Sequence, residues 1–589
     1  MLLKSLHIAS RQLFYLLVVV VILGLLGLIA AMWLSEEVAE RKDEIAAWAS
    51  QKTGYPVSID SAGLYWFDLI PKLEVRQVKV KQKTGETPII TAGQVYLSLD
   101  ILQTISSGEP VVADASIRQA HLKLERTQQG NIRLNGLDDD RRNQSGTSVE
   151  EVIRWFSWLK QLELNAITLD YLDRKQSGLS GTYQLQQLDL QFAGREWQAD
   201  ADIILPESLG DAVRLSAEAE IDKDYSFSTW QAELTTDDLS LSPVLKDVPM
   251  RGMKLIEGLF SGSVKASQNA LGDVTAELNA NLTDITLGSE KVAEDFDQVT
   301  LDQLQGQFRV SQQAESWSLN AESLQIQMAG EAWPVTALEV QRYQDGEVEA
   351  TADYLRLSDI TSVALLMRDM PSWLVETKPA GDVYSLFARY QPNHGLQTLQ
   401  LRSQGLAFLP WQDFPGANDL SFELDWQNNQ GELVLNSHKV TIYADNWLEE
   451  SVYLESLTGH VSWQHQQNNW HVSAEQLNLW NEDLNLSLNG RVNHHNGETD
   501  TDLRLALEDI QTNRWRDYVP KSIIPEDFEK WSRDAFRKGI IRSGYVEFKG
   551  DPSAFPFDEN PDQGSFDMKL QVEDTQLHYA EGWPDLMAV

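Results

Sequence analysis

Along most of this chain, apolar residues recur at every second position, and that alternation limits the fold more than any other feature. Leu122-x-Leu124, Leu162-x-Leu164, Leu188-x-Leu190-x-Phe192 and Leu484-x-Leu486-x-Leu488 all alternate. Leu503-x-Leu505-x-Leu507 and Phe566-x-Met568-x-Leu570-x-Val572 continue the pattern. A strand turns successive side chains to opposite faces, so this period predicts half-buried antiparallel strands with one apolar and one wet face. Turn-rich breaks such as Asn428-Asn429-Gln430-Gly431 and Asn496-Gly497 separate the runs. The body is therefore expected to be mainly β.

Helical signals are few. Residues 36–53 place Val38, Ile45, Trp48 and Ala49 on one face, and Gly54 ends the run. A second amphipathic stretch covers 149–160. A third covers 526–538, where Phe528, Trp531, Ala535 and Phe536 share a face between Pro525 and Gly539. The segment Gly136 to Ser148 is polar and charged and reads as a linker.

One segment breaks the pattern outright. Leu13 to Leu34 is an uncharged apolar run of 22 residues, about 33 Å as a helix, enough to span a bilayer. Lys4 and Arg11 precede it, and Glu36, Glu37 and Glu40 follow, so the positive-inside rule keeps the N-terminus cytoplasmic. A cleaved signal would have a shorter apolar region and a small-x-small site, where this chain has Ala30-Ala31-Met32-Trp33. The reading is a single uncleaved anchor.

Charge and composition then exclude several functions. The 589 residues include 48 basic and 88 acidic side chains, a net charge of −40, which opposes nucleic-acid binding. There is no cysteine, hence no disulfide framework, thiol catalysis or Cys-ligated metal. No HExxH, P-loop or GxSxG motif occurs. Ser157-Trp-Leu-Lys160 fits S-x-x-K without the partner motifs of that enzyme class, and a helix with its Lys in water explains it. His460, His465, His471, His494 and His495 lack metal-ligand spacing, and Asp138-Asp139-Asp140 lacks the spaced oxygens of a calcium loop. Catalytic, cofactor and metal residues are expected to be absent. Trp317 and Trp470 read as packing anchors between strands.

The chain also repeats itself. Residues 302–327 align with 455–480 at an offset of 153, without a gap. Leu304 matches Leu457, Gly306 matches Gly459, Trp317 matches Trp470, and Ala321-Glu322 matches Ala474-Glu475. Tyr354 to Ile360 resembles Leu503 to Ile510, and a fainter copy begins at Gly262-Ser263-Val264. Such repetition predicts a stacked, quasi-linear body. The organisation read from it is 1–35 tip and anchor, 36–135 N-terminal β region, 136–148 linker, 149–300 β repeats, 301–454 a module, and 455–589 its second copy. That copy stops at Val589 before its last strand, so the chain reads as part of something longer.

The order of these motifs resembles a known family. The anchor is followed by Gly63-Leu-Tyr-Trp66, Val95-Tyr-Leu-Ser-Leu-Asp100-Ile-Leu102, an Ile117–Glu125 strand and Gly130-Asn-Ile-Arg-Leu134, which resembles the start of AsmA-like proteins. Pro520…Trp531…Gly539…Phe555-Pro-Phe557…Gly564-x-Phe566 and Tyr579…Trp583-Pro584 resemble the YhdP branch. The resemblance implies an elongated, taco-shaped repeating β-groove and an inner-membrane anchor with a periplasmic body. It also implies carriage of phospholipid toward the outer membrane, contacted through a part beyond this chain. About 30 strands at ~4.8 Å would extend on the order of 140 Å. On that reading Leu484, Leu486, Leu488, Leu503, Leu505, Leu507, Phe566, Met568, Leu570 and Val572 line the groove. A non-catalytic scaffold for outer-membrane assembly would use the same anchor and β body.

Overall fold

The computed structural model describes residues 38–587, apart from segments 82–87, 135–158, 223–225, 290–297, 520–529, 532–534, 558–560 and 580–583, part of 101–110, and isolated positions. The expected anchor, the 136–148 linker and nearly all of the expected 149–160 helix lie outside the described residues. Among those described, no helix is long and apolar enough to cross a membrane.

Strands dominate, and 29 are described. The chain folds as two compact units, 1–248 with 257–283, and 249–256 with 284–589. Each is a ladder of strands, antiparallel but for one pair in the first unit, that does not close on itself among the described residues. In the first unit one row of paired residues is apolar across nine strands: Val75, Val95, Ile117, Leu164, Leu188, Ala201, Leu215, Leu234 and Val264. The period-two pattern is thus realised as a continuous face.

That first unit departs from strict antiparallel order once. Strand Val112–Arg126 pairs in parallel with Gln161–Asp173, bringing Ile117 beside Leu164 and Arg126 beside Asp173. A parallel pair needs a crossover of a dozen or more residues. Residues 127–160 lie between the two strands in sequence, long enough for one. Asp173 pins the far end: its carboxylate accepts from Arg126 Nη1 at 3.2 Å, Tyr171 Oη at 3.0 Å and the backbone N–H groups of Lys175 and Gln176 at 2.9 and 2.8 Å.

In the second unit the sequence repeat is reproduced in three dimensions. Hairpin Gln298–Gln313/Ser316–Met328 and hairpin Val452–Gln466/Asn469–Trp480 share one register, since Phe308 pairs with Ala321 as Val461 pairs with Ala474. Both shift register at the same place, Gln305/Gln307 and Thr458/His460, beside Ser323 and Gln476, which have positive φ. Such β-bulges bend a strand and raise its local twist. Gly459 sits in one with φ +155, and a Cβ there would lie 2.6 Å from Leu477 Cα. Gly459→Ala should therefore lower stability by about 1–3 kcal/mol in thermal unfolding, whereas Gly497→Ala, in an open turn, should cost less.

Two helical expectations need correction. The expected 526–538 helix ends earlier, because strand Phe536–Gly550 begins inside it. Tyr354–Ile360 does not share the structure of its counterpart Leu503–Ile510. The first leaves its strand at Arg356 and enters helix Leu357–Ala364, while the second lies within strand Glu498–Gln511. Tertiary partners decide this difference. Asp359 accepts Trp333 Nε1 at 2.7 Å, Thr361 donates to the Pro379 carbonyl at 2.8 Å, and Tyr354 Oη donates to Asp382 at 2.6 Å. Burial, aided by Asp382, pushes the Tyr354 hydroxyl up to about 12. Helix Lys42–Thr53 agrees with the expected 36–53 segment.

Candidate functional site

The ten apolar candidates come together on one face. Leu486 pairs with Leu507 and Leu488 with Leu505, and both pairs continue across the next two strands. One row runs Leu486, Leu507, Gly544, Leu570, and the next runs Leu488, Leu505, Val546, Met568. A third row is longer: Leu401, Leu424, Leu433, Val461, Ala474, Gly490, Leu503, Phe548 and Phe566, apolar or glycine across nine strands. At ~4.8 Å between strands that row covers about 38 Å. Val572 lies further along the last strand opposite Ile541.

One residue away, the opposite face is polar over the same nine strands. Gln400, Asp425, Glu432, Ser462, Ser473, Arg491, Asp502, Lys549 and Ser565 follow one another. Ser462 and Ser473 are hydrogen-bonded at 2.8 Å, and Arg491 lies 3.5 Å from Asp502. The first is half-buried and the second exposed, and each adds little by itself. Their role is to keep that face wet and the register unique.

Burial varies along the apolar face. Near the edge that carries the helices and longer connections, Val440, Leu454, Leu484, Ile510 and Ile541 form a tight core. Leu486, Leu507, Leu570 and Val572 pack against it. Toward the tight-turn edge the nine-strand row is never fully covered: each member stays partly exposed, Phe566 at 45%. Met568 is 53% exposed. A face shut under a second sheet would be interdigitated and dry. So the ten residues share a face but not an environment: Leu484 belongs to a closed core, and Leu503, Leu505, Phe566 and Met568 to an accessible surface.

Phe555 and Phe557 pack onto this surface from the connection that follows Gly550, with ring centroids 5.5 Å from Phe566 and Phe548 respectively. Gly564 makes this possible, since a Cβ there would lie 2.2 Å from the Phe557 ring. Trp317 and Trp470, expected as packing anchors between strands, are not enclosed, although Trp470 does pack across its strand pair. They occupy the outermost rung of the apolar face, 38% and 45% exposed, and His465 stacks on Trp470 at 4.2 Å. An end rung has a neighbour on one side only, so its rings cannot be enclosed.

Several of the remaining chemical candidates have local partners. Lys160 Nζ lies 2.9 Å from Asp100, His494 Nδ1 3.0 Å from Thr499 Oγ1, and His471 meets Asn493. Among the described residues, no group of three or more His, Asp or Glu could hold a metal ion. Ser157 and Asp138-Asp139-Asp140 lie outside the described residues.

Open antiparallel ladders with one apolar face, part of it uncovered, place the chain in the class of extended β-sheet proteins. The YhdP protein family model matches residues 1–589, and the chain belongs to the YhdP family. That match carries no catalytic family with it. Comparison with curated proteins and with solved structures returns no match.

Proposed function

We propose that this chain is an envelope protein that moves phospholipid along its apolar face, anchored in the inner membrane by Leu13–Leu34 with its body in the periplasm. One observation carries the reading: the nine-strand row from Leu401 to Phe566 holds no polar side chain yet is incompletely covered. Family membership and the apolar N-terminal run support the setting. Each acyl CH₂ moved into water costs about 0.8 kcal/mol, so a continuous apolar surface removes most of the barrier to carrying a lipid between membranes. Delivery toward the outer membrane is the direction this reading assigns.

The test compares neighbouring positions of the full chain in cells. A photoreactive residue replacing Leu503 should capture phospholipid, and the same residue replacing Arg504, on the polar face, should not. Capture of protein alone at position 503 would favour the scaffold reading and overturn this one.

A further inference from the structure

The two long edges of the second unit's sheet are built differently. One edge carries the helices Leu357–Ala364 and Ser372–Thr377 and lies beside the closed core of Val440, Leu454, Ile510 and Ile541. The other is made largely of short turns, at 314–315, 428–429 and 496–497 among others. Along the outermost rung of the apolar face, next to these turns, stand Trp317, Tyr390 and Trp470, all exposed.

We infer that this tight-turn edge is the lip at which a bound lipid's head group rides, with its acyl chains directed to the core side, and that the lip favours an ammonium-bearing, zwitterionic head over a net-anionic one. The inference rests on the lipid-carrying reading and adds orientation and head-group class. Three observations carry it. Burial deepens away from this edge, so chains gain most by pointing inward. Tryptophan and tyrosine prefer the boundary between hydrocarbon and water, which is where a head group sits, and their faces attract quaternary or primary ammonium. The adjoining turns carry Glu315 and Asp345 and no Lys or Arg, and Glu498 opens the strand that follows turn 496–497. Arg342, on the same rung as Trp317, donates to the uncharged Glu315 carbonyl at 3.0 Å, so its guanidinium stands as one cation against these three carboxylates. Within a chain of net charge −40, such a lip repels a second negative charge.

The experiment places a photoreactive residue singly at Tyr390, Leu507 and Phe414 of the full chain. The protein is exposed to vesicles of equal ethanolamine and glycerol phospholipid, and adducts are mapped by tandem mass spectrometry. Adducts at 507 should join acyl carbons, and adducts at 390 should join the glycerol or head-group end. The 390 adducts should be enriched in ethanolamine lipid by about threefold, and Trp317→Ala with Trp470→Ala should abolish that enrichment. Head-end adducts at 414, on the opposite edge, or lipid proportions at 390 equal to the input, would overturn the inference. Absence of any lipid adduct at 507 would instead overturn the lipid-carrying reading beneath it.

Discussion

Leu454→Asp should unfold the second unit, while Leu505→Asp, on the same sheet and two strands further along its chain order from Asn469–Trp480, should leave it folded. Leu454 is 1% exposed and sits in the cluster with Val440, Leu484, Ile510 and Ile541. A carboxylate there loses the packing of a buried leucine, about 2–5 kcal/mol, and adds the desolvation of an unpaired charge. The sum exceeds what most domains can lose. Leu505 lies only partly buried, so its aspartate reaches water at a cost of about 1–2 kcal/mol. Leu570→Asp should fall between them, because Leu570 packs against the core cluster. Protein abundance and protease resistance measure the folding effect, and lipid capture at position 503 measures the other. Leu505→Asp should retain the first and lose the second. Equal collapse of both variants would mean that the apolar face is closed.

Asp173→Ala should be the most damaging single change in the first unit. The carboxylate is fully buried and bonded to Arg126, Tyr171 and two backbone N–H groups. Removing it strands those donors at the end of the parallel pair, at a cost of about 3–5 kcal/mol. Asp173→Asn keeps the shape but loses the charge, and should cost less. The same site predicts a pH response. Burial raises the Asp173 pKa, yet the hydrogen bonds from Gln176, Tyr171, Arg126 and Lys175 outweigh it and hold the carboxyl below its ordinary value. A depressed folded pKa stabilises the fold above the unfolded carboxylate range of about 3.9, and this contribution fades as pH falls through the folded value. Acid unfolding followed by protease sensitivity of residues 112–173 should therefore be less steep in Asp173→Asn than in the parent chain.

The strands and the facing of their side chains were legible in the amino-acid order, because alternation is a property of the backbone itself. A residue two positions on lies on the same face whatever stands opposite. That is why Leu486, Leu488, Leu503, Leu505, Leu507, Phe566, Met568 and Leu570 all fall on one surface, while the 302–327 and 455–480 hairpins share register and bulge because their sequences repeat. Depth was not legible. Leu484 and Met568 read alike in an alternating run, yet one is 4% exposed and the other 53%, because burial depends on what the fold brings opposite each residue. The parallel joint of Val112–Arg126 with Gln161–Asp173 was hidden for a related reason: pairing direction is decided by where a long connection returns the chain, and alternation is the same in both directions. Helix Leu357–Ala364 was hidden because its opening residues continue a strand-like pattern, and partners distant in sequence, Trp333 and Pro379, stabilise the turn away from it. Local periodicity determined the face; tertiary contact alone decided which part of that face is core and which part is left open.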